Sequence, residues 1–171
     1  GAYAVYDGNQ SNAAIYGYLY NWFAVDDSRN IAPEGWHVAT DVEWTTLTDY
    51  LGGENVAGGK MKETGTTHWN SPNTGATNES GFTSLPGGYR PYIGFYNYAG
   101  LNCYFWSSTE NEGTLAWTQR LYYNNSETYR TYNSKQAGFS VRCVKDEAGI
   151  THIPADYPTI QAGIDESSSG D

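Results

Sequence analysis

Charged residues are scarce in this 171-residue sequence, and basic residues are scarcer still. The charged fraction is 16%, and nine Lys and Arg stand against nineteen Asp and Glu, for a formal net charge of -10. Because the bases form no cluster, the sequence disfavours nucleic acid and anionic membrane surfaces as partners. No apolar run approaches the length of a membrane span, so we expect no membrane insertion.

Cysteine and histidine are also few, which limits the redox and metal sites that the chain can form. The two cysteines, Cys103 and Cys143, lie too far apart in sequence for a CxxC redox or zinc motif. A disulfide between two strands and a pair of small buried thiols are the two alternatives. The histidines, His37, His68 and His152, have no spacing typical of a zinc site, so we expect structural or solvated roles for them.

Aromatic and small polar residues are abundant instead. Aromatics make up 16% of the chain, with sixteen Tyr and six Trp. Tyr in such excess suits contact surfaces, because its ring is large and rigid and its hydroxyl tolerates water. Low Lys with high Gly, Asn, Ser, Thr and Tyr is typical of secreted bacterial surface proteins. The composition therefore predicts a secreted or cell-surface location.

The first half of the chain carries the helix signals. Thr40 and Glu43 have the spacing of a Thr-x-x-Glu capping box, and Gly52 and Gly53 end the helix that it opens. A second short helix is expected within residues 56–64, although its paired glycines oppose it.

The second half carries the strand signals. After a loop-rich region at 64–100, which we expect its aromatics to keep ordered, three strands are predicted at 103–110, 115–123 and 138–146. An early helix followed by an antiparallel meander indicates an α+β domain.

Several stretches resemble a known family, the paralogous extracellular domains first noted in Fibrobacter succinogenes. The matching stretches, in order, are "YGYLYNWFAV", "APEGWHVATDVEWTTLTDYLGG", "AGGKMKETGTTHWNSPNTGATNESGFTSLPGGYR", "FWSSTE" and "GFSVRCVKD". More distantly, "GWHVATDVEW" and "GFSVRCV" resemble parts of the C-type-lectin-like fold of formylglycine-generating enzymes. The resemblance implies such a fold, with one or two helices, a small twisted antiparallel sheet and extensive ordered loops.

The resemblance also divides the chain. Residues 1–146 are expected to form the C-type-lectin-like domain. Residues 147–171 are expected to form a linker and the truncated entry to a second domain, because "HIPADYPTIQAGIDESSSGD" resembles the start of a pectate-lyase-type β-helix. We also expect that the chain can self-associate through this tail.

The sharpest candidate for a binding site lies just before the closing strand. In the related folds the closing strand pairs in the central sheet, and the segments before it display a binding face, so residues 139–144 would anchor a displayed stretch at 122–134. Aromatic rings can stack on sugars or on apolar surfaces, while Asn, Ser and Arg supply hydrogen bonds. An exposed hairpin whose polar residues merely keep an edge soluble is the alternative. The predicted ligand-binding residues are Tyr122, Tyr123, Asn124, Asn125, Glu127, Tyr129, Arg130, Tyr132 and Asn133.

Catalysis and metal binding receive less support from the sequence. Formylglycine-generating enzymes need a close cysteine pair near the C-terminus, and Cys103 and Cys143 do not reproduce that spacing. Fold resemblance alone does not transfer an activity, so we predict no catalytic residues and no cofactor. Loop carboxylates leave a structural calcium ion and plain solvated acids as alternatives. These acids are Asp26, Asp27, Glu79, Glu110, Glu112 and Glu127.

These observations favour an extracellular, non-enzymatic recognition module that binds a glycan or a surface protein. A structural subunit of a surface layer or filament is the second hypothesis. An enzyme on a formylglycine-generating-enzyme-like fold is the third and the weakest.

Overall fold

The computed structural model describes residues 1–146, so the tail at 147–171, including His152 and the expected β-helix entry, lies outside the described residues. The described chain combines short helices with short strands. In chain order the elements are β1 (Tyr3–Ala4), a 3₁₀ turn (Tyr6–Gly8), α1 (Gln10–Tyr16), β2 (Leu19–Tyr20), α2 (Trp22–Val25), β3 (Trp36–Val38), α3 (Asp41–Tyr50), α4 (Glu54–Met61), β4 (Gly87–Tyr89), β5 (Asn97–Ala99), β6 (Asn102–Glu112), β7 (Leu115–Tyr122), β8 (Thr128–Ser134) and β9 (Cys143–Lys145).

A five-stranded sheet forms the centre of this α+β domain. Its strand order is β5-β4-β6-β7-β8, and its pairs are antiparallel except for β4 with β6. Two smaller ribbons pair β1 with β2 and β3 with β9. Since β6, β7 and β8 follow one another with short turns, they pair as antiparallel neighbours, with register shifts in β6 between Trp106 and Glu112.

Helix α3 begins where the capping box predicts. The Thr40 side chain accepts a hydrogen bond from the Glu43 amide at 3.2 Å, and the Glu43 carboxylate accepts one from the Thr40 amide at 2.7 Å. These two bonds satisfy amides that the first turn leaves without helical partners. The helix ends at Tyr50, just before the two glycines.

The glycines of helix α4 lie where the main chain of other segments approaches the helix closely. A side-chain carbon at Gly58 would overlap the carbonyl oxygen of Glu127, and one at Gly59 would overlap the carbonyl oxygen of Gly75. The glycines that weaken the helix by propensity therefore allow the turn between β7 and β8 to pack directly on it.

Each face of the central sheet carries its own apolar core. On one face α3 and α4 cover a cluster that includes Trp44, Met61, Trp69 and Phe105. On the opposite face Trp22, Tyr104, Trp106 and Phe139 form a second cluster. Trp69 is buried and donates its ring N–H to the Ser84 carbonyl at 2.9 Å, so it pins the loop-rich region as expected.

The structure differs from the strand predicted at 138–146, because only Cys143–Lys145 of this segment forms a strand, β9. Phe139 is buried as an anchor should be, and Phe139 and Ser140 make isolated bridges to Tyr20 and Phe105. Strand formation resumes only at β9, which pairs with β3 and not with the five-stranded sheet. The alternating pattern was correct about burial at Phe139, but β9 faces solvent at Val144.

Candidate functional site

The predicted binding stretch spans the end of β7, a turn, and β8. Because successive strand residues point to opposite faces, β8 divides the stretch between the two faces of the sheet. Arg130 pairs with Gln119 and Tyr132 with Trp117, on the face that α3 covers. Tyr129 pairs with Arg120 and Asn133 with Ala116, on the other face. The structure therefore does not bring the nine predicted residues together into one site.

Arg130 is occupied by contacts within the domain. Its guanidinium donates two hydrogen bonds to the Asp41 carboxylate, at 2.8 and 2.7 Å, and lies 3.4 Å from the centre of the Trp117 ring. The bonds to Asp41 raise the pKa of Arg130 above its ordinary value. Tyr132 packs edge-on against the same Trp117 ring, with centroids 5.8 Å apart. These residues fasten β8 to the start of α3, with Tyr132 the most accessible of them.

The turn between β7 and β8 is also fixed from within. Tyr123 packs against the core under α3 and α4, and its amide donates to the Leu101 carbonyl at 2.8 Å. The Ser126 carbonyl accepts from the Gly59 amide at 2.9 Å. Asn124 alone among residues 122–127 is exposed. The turn is thus a docked element rather than a freely displayed loop.

A buried lysine holds this turn to the loop-rich region. Lys62 is fully buried, and its ammonium donates to the carbonyls of Thr74, Tyr122 and Asn125 at 2.9, 2.9 and 2.8 Å. Burial lowers the pKa of Lys62 to about 8. Three acceptors match the three N–H donors of an ammonium, whereas a neutral amine would leave one carbonyl unpaired. The Lys62 ammonium therefore links the end of α4, the loop at Thr74 and the β7–β8 turn.

On the face away from α3, a row of tyrosines crosses all five strands of the sheet. Its members are Tyr98 on β5, Tyr89 on β4, Tyr104 on β6, Arg120 and Tyr122 on β7, and Tyr129 on β8, and we call these six residues the tyrosine–arginine surface. Tyr98 is exposed and four of the others are half-buried, whereas Tyr104 is buried as part of the second apolar cluster. Tyr104, Arg120 and Tyr129 lie directly opposite one another across β6, β7 and β8.

The rings of this surface are in mutual contact. Tyr89 stacks on Tyr98 with centroids 5.9 Å apart and planes 8° apart, and it meets Tyr104 at 4.9 Å. Tyr122 and Tyr129 meet edge-on at 5.0 Å. Tyr98 has φ +64°, which interrupts the extended backbone of β5 where its ring stacks on Tyr89.

Arg120 lies among these rings without a hydrogen-bonding partner. Its guanidinium carbon is 4.6 Å from the Tyr122 ring centre, 5.5 Å from that of Tyr104 and 5.9 Å from that of Tyr129. Within residues 1–146 it makes no ion pair, and its Nε is buried with no acceptor in reach. Ring contacts stabilise the charge of a guanidinium but provide no acceptor for the buried Nε–H of Arg120.

Polar side chains border the row at the β8 end. Asn125 donates to the Tyr129 hydroxyl at 3.2 Å, and that hydroxyl donates to the Glu127 carboxylate. The bond to Glu127 raises the pKa of Tyr129 above its ordinary value, and burial raises the pKa of Tyr122. Four predicted residues, Tyr122, Asn125, Glu127 and Tyr129, therefore belong to this surface or its border.

Four members of the surface were not predicted. Tyr89, Tyr98, Tyr104 and Arg120 come from three further strands and from the interior of β7, and nothing in their sequence spacing relates them. Pairing "CYFW" against "QRLY" as an antiparallel hairpin would have placed Tyr104 beside Arg120. The adjoining loop between β4 and β5 is a further unpredicted feature, because Tyr92, Ile93 and Phe95 in it are largely exposed.

A separate apolar groove lies on the far side of the molecule. It has a volume of about 580 Å³ and is lined by residues of α3 and β9 together with Phe82 and Arg142. Trp44, Leu47 and Tyr50 provide much of its wall, and Cys143 opens onto it. The predicted binding residues at 122–133 do not line this groove.

The cysteines do not bond to each other, and the described histidines contact carboxylates. Cys103 and Cys143 are both free thiols, so the disulfide alternative is wrong. Burial raises the pKa of Cys103 to about 12. His37 bridges Glu43 at 2.7 Å and Asp146 at 2.6 Å, and His68 contacts Glu63 at 2.9 Å.

Neither a metal cluster nor a membrane span is found in the part of the chain that the structure describes. Among residues 1–146, no three His, Cys, Asp or Glu side chains converge as metal ligands would. Of the suggested calcium ligands, Asp27 pairs with Arg29 and Glu110 with Lys135. Across the same residues, each helix is too short or too polar to cross a bilayer.

The structure defines a small α+β domain with a row of exposed, half-buried and buried tyrosines across one face of its central sheet. Comparison with known families matches residues 1–145 to the Fibrobacter succinogenes major domain, so the chain belongs to that family. Searches of curated proteins and of solved structures each found no match.

Proposed function

We propose that this chain is an extracellular, non-enzymatic recognition module that binds a glycan or a protein surface through its tyrosine–arginine surface. The observation that carries the proposal is the row of five tyrosines and one unpaired arginine on one sheet face. Aromatic rings with hydroxyl groups bind partners that present both apolar faces and hydrogen-bonding groups.

Rigidity of the supporting backbone favours binding. The strands that carry the row are paired on both sides except at β5 and β8, and Lys62 holds the β7–β8 turn. Side chains that are already ordered lose little conformational entropy when a ligand binds.

We further propose a C-type-lectin-like arrangement for the domain. Two features support it: the early strand β3 pairs with the late strand β9, and a long ordered loop region separates α4 from β4. In this proposal the tyrosine–arginine surface replaces the calcium-centred site that sugar-binding C-type lectins use.

Paired substitutions on the two sheet faces test the recognition proposal. Tyr122→Ala and Tyr129→Ala remove rings of the proposed surface, and Tyr132→Ala removes a more exposed ring from the opposite face as a matched control. On a glycan array and in binding assays with purified cell-envelope components, we expect the first two variants to lose at least tenfold in affinity and the control to bind like the unsubstituted chain. Equal binding by all three variants, with unchanged circular dichroism, would contradict the proposal.

A structural subunit of a surface layer is the second candidate function. The exposed apolar side chains of the β4–β5 loop favour it, because Tyr92 is 68%, Ile93 59% and Phe95 65% exposed. Large exposed apolar groups at a loop tip are suited to contact a second copy of the chain. Sedimentation over a wide concentration range distinguishes the two, since a subunit would assemble and a recognition module would remain monomeric.

A further inference from the structure

The Arg120 guanidinium differs from those of the other arginines in its surroundings. Arg90 also has a buried Nε without a partner within residues 1–146, but its guanidinium lies near one ring, that of Tyr96, whereas Arg120 lies among three. Arg29 and Arg130 each bind an Asp carboxylate, and Arg142 donates to the Thr83 carbonyl. Arg120 has no such partner among residues 1–146, although its Nε is buried. Leaving a buried charged donor unpaired costs free energy. A site that tolerates this cost is suited to an acceptor that arrives from outside.

The surroundings of Arg120 define the chemistry of that acceptor. The rings of Tyr104, Tyr122 and Tyr129 hold the guanidinium in place. The Glu127 carboxylate, which borders the row, already accepts from the Tyr129 hydroxyl. A planar guanidinium matches a carboxylate with two parallel hydrogen bonds.

The rest of the surface favours a sugar as the carrier of the carboxylate. The side chains around Arg120 are phenol rings and amides, with Asn125 at one border and Asn97 near Tyr89. Protein interfaces, in contrast, have an apolar centre with a polar rim. Aromatic rings next to hydrogen-bonding groups suit the C–H face and the hydroxyls of a pyranose.

We propose that the tyrosine–arginine surface binds a carboxylated glycan, with a uronate carboxylate paired to Arg120 and the sugar ring against Tyr122 or Tyr129. This inference rests on the proposed recognition function and names the class of ligand. The net charge of -10 does not prevent it, because salt at physiological strength screens charges beyond about 8 Å and a direct pair with Arg120 is much shorter.

The test compares polymers that differ only in their carboxylates. Polygalacturonate and alginate are titrated into the full chain by calorimetry in 0.15 M NaCl with EDTA, and each is compared with its ester. EDTA removes binding through bridging calcium. We expect measurable binding to the acid forms and at least tenfold weaker binding to the esters.

Substitutions then locate the binding. Arg120→Gln is expected to abolish the preference for the acid form, and Arg120→Lys to weaken binding because an ammonium cannot make the paired contact. Arg130→Gln on the opposite face is the matched control and should bind like the unsubstituted chain. Thermal unfolding of each variant checks its fold, and the comparison of acid with ester on the unsubstituted chain needs no variant.

The outcomes separate this inference from the recognition proposal. Equal affinity for acid and ester, with loss of binding in Tyr129→Ala, would overturn the carboxylate inference and leave glycan recognition standing. No binding to either acid polymer would also overturn it. Binding that depends on Arg130 rather than on Arg120 would place the site on the other sheet face and overturn both.

Discussion

At the residue scale, the chemistry of this domain depends on which charged groups find partners. Arg130 forms an ion pair with Asp41, and Lys135 forms one with Glu110 at 2.6 Å. Lys62 donates hydrogen bonds to three carbonyls. The sequence predicted Arg130 as a ligand-binding residue because it lies in a polar aromatic stretch. The structure shows why residue type was insufficient: Asp41 lies 89 positions earlier, so their pairing follows from tertiary packing alone.

His37 provides a residue-scale prediction about pH. Hydrogen bonds to Asp146 and to Glu43 raise the pKa of His37 above its ordinary value near 6.5. A group with a raised folded pKa stabilises the fold fully below its unfolded pKa, and this contribution is lost as the pH rises through the folded pKa. Because the His37 side chain is 38% exposed, solvent screening keeps the contribution small.

Titration of the His37 ring protons by NMR measures this shift directly. We expect a midpoint above 6.5, and a lower midpoint in Asp146→Asn because the variant loses a carboxylate partner. Asp49→Asn, at the exposed end of α3, is the control and should leave the midpoint unchanged. A midpoint at or below the ordinary value in the unsubstituted chain would show that the two carboxylates do not hold the ring.

At the element scale, local signals predicted the helices α3 and α4 and the long strands β6 and β7, but not the short helices α1 and α2. The capping box marked the start of α3, and the aromatic runs at 103–110 and 115–123 correspond to β6 and β7. The strand β8 was treated as a displayed stretch, because its polar Tyr, Thr and Asn side chains hide the alternation. The prediction for the closing segment was wrong for the opposite reason. Its alternating pattern is clear, but β9 pairs with the distant strand β3.

Gly58 tests the packing of α4 against the β7–β8 turn. Alanine has the higher helix propensity, by about 1 kcal/mol, so an isolated helix would be stabilised by Gly58→Ala. Here the added carbon would overlap the carbonyls of Glu127 and Ser126. We expect net destabilisation of about 1–3 kcal/mol, the usual range for overpacking, measured by urea unfolding.

Asn55→Ala serves as the matched control for Gly58→Ala. Asn55 is exposed on the same helix, so its replacement by Ala should be neutral or slightly stabilising through propensity. If Gly58→Ala were as stable as Asn55→Ala, the turn would not lie against α4 in solution.

At the scale of the whole molecule, the candidate site depends on register more than on any motif. Its six members come from five strands, and Tyr98 and Tyr129 are 31 positions apart yet belong to one row. The predicted stretch at 122–134 contains two of the six members, Tyr122 and Tyr129. A β6–β7 hairpin would have placed Tyr104 beside Arg120, but the members on β4 and β5 could not be predicted, because strand order and a parallel β4–β6 pair are not readable from local pattern.

Lys62 tests the cohesion of the whole domain. Lys62→Met keeps the length of the side chain but leaves the carbonyls of Thr74, Tyr122 and Asn125 without their donor. Unpaired buried acceptors cost about 1–3 kcal/mol each, and removal of the buried charge offsets part of this, so we expect a net loss of about 2–4 kcal/mol in the free energy of unfolding.

Lys60→Met, two positions away, is the control for Lys62→Met. Lys60 is partly exposed and contacts Glu79 at 3.7 Å, so its loss should change the free energy of unfolding by less than about 0.5 kcal/mol. Equal stability of the two variants in urea unfolding would contradict the role assigned to Lys62.

The same ammonium contact has a consequence for how the binding surface can vary. Because Lys62 binds the main-chain oxygens of Tyr122 and Asn125, this hold on the turn beside the tyrosine row does not depend on the Tyr122 ring. Exchanging the residues at positions 98, 122 and 129 as a set should therefore produce proteins of one shape with different ligand preferences. The domain would then serve as a fixed frame for interchangeable specificities.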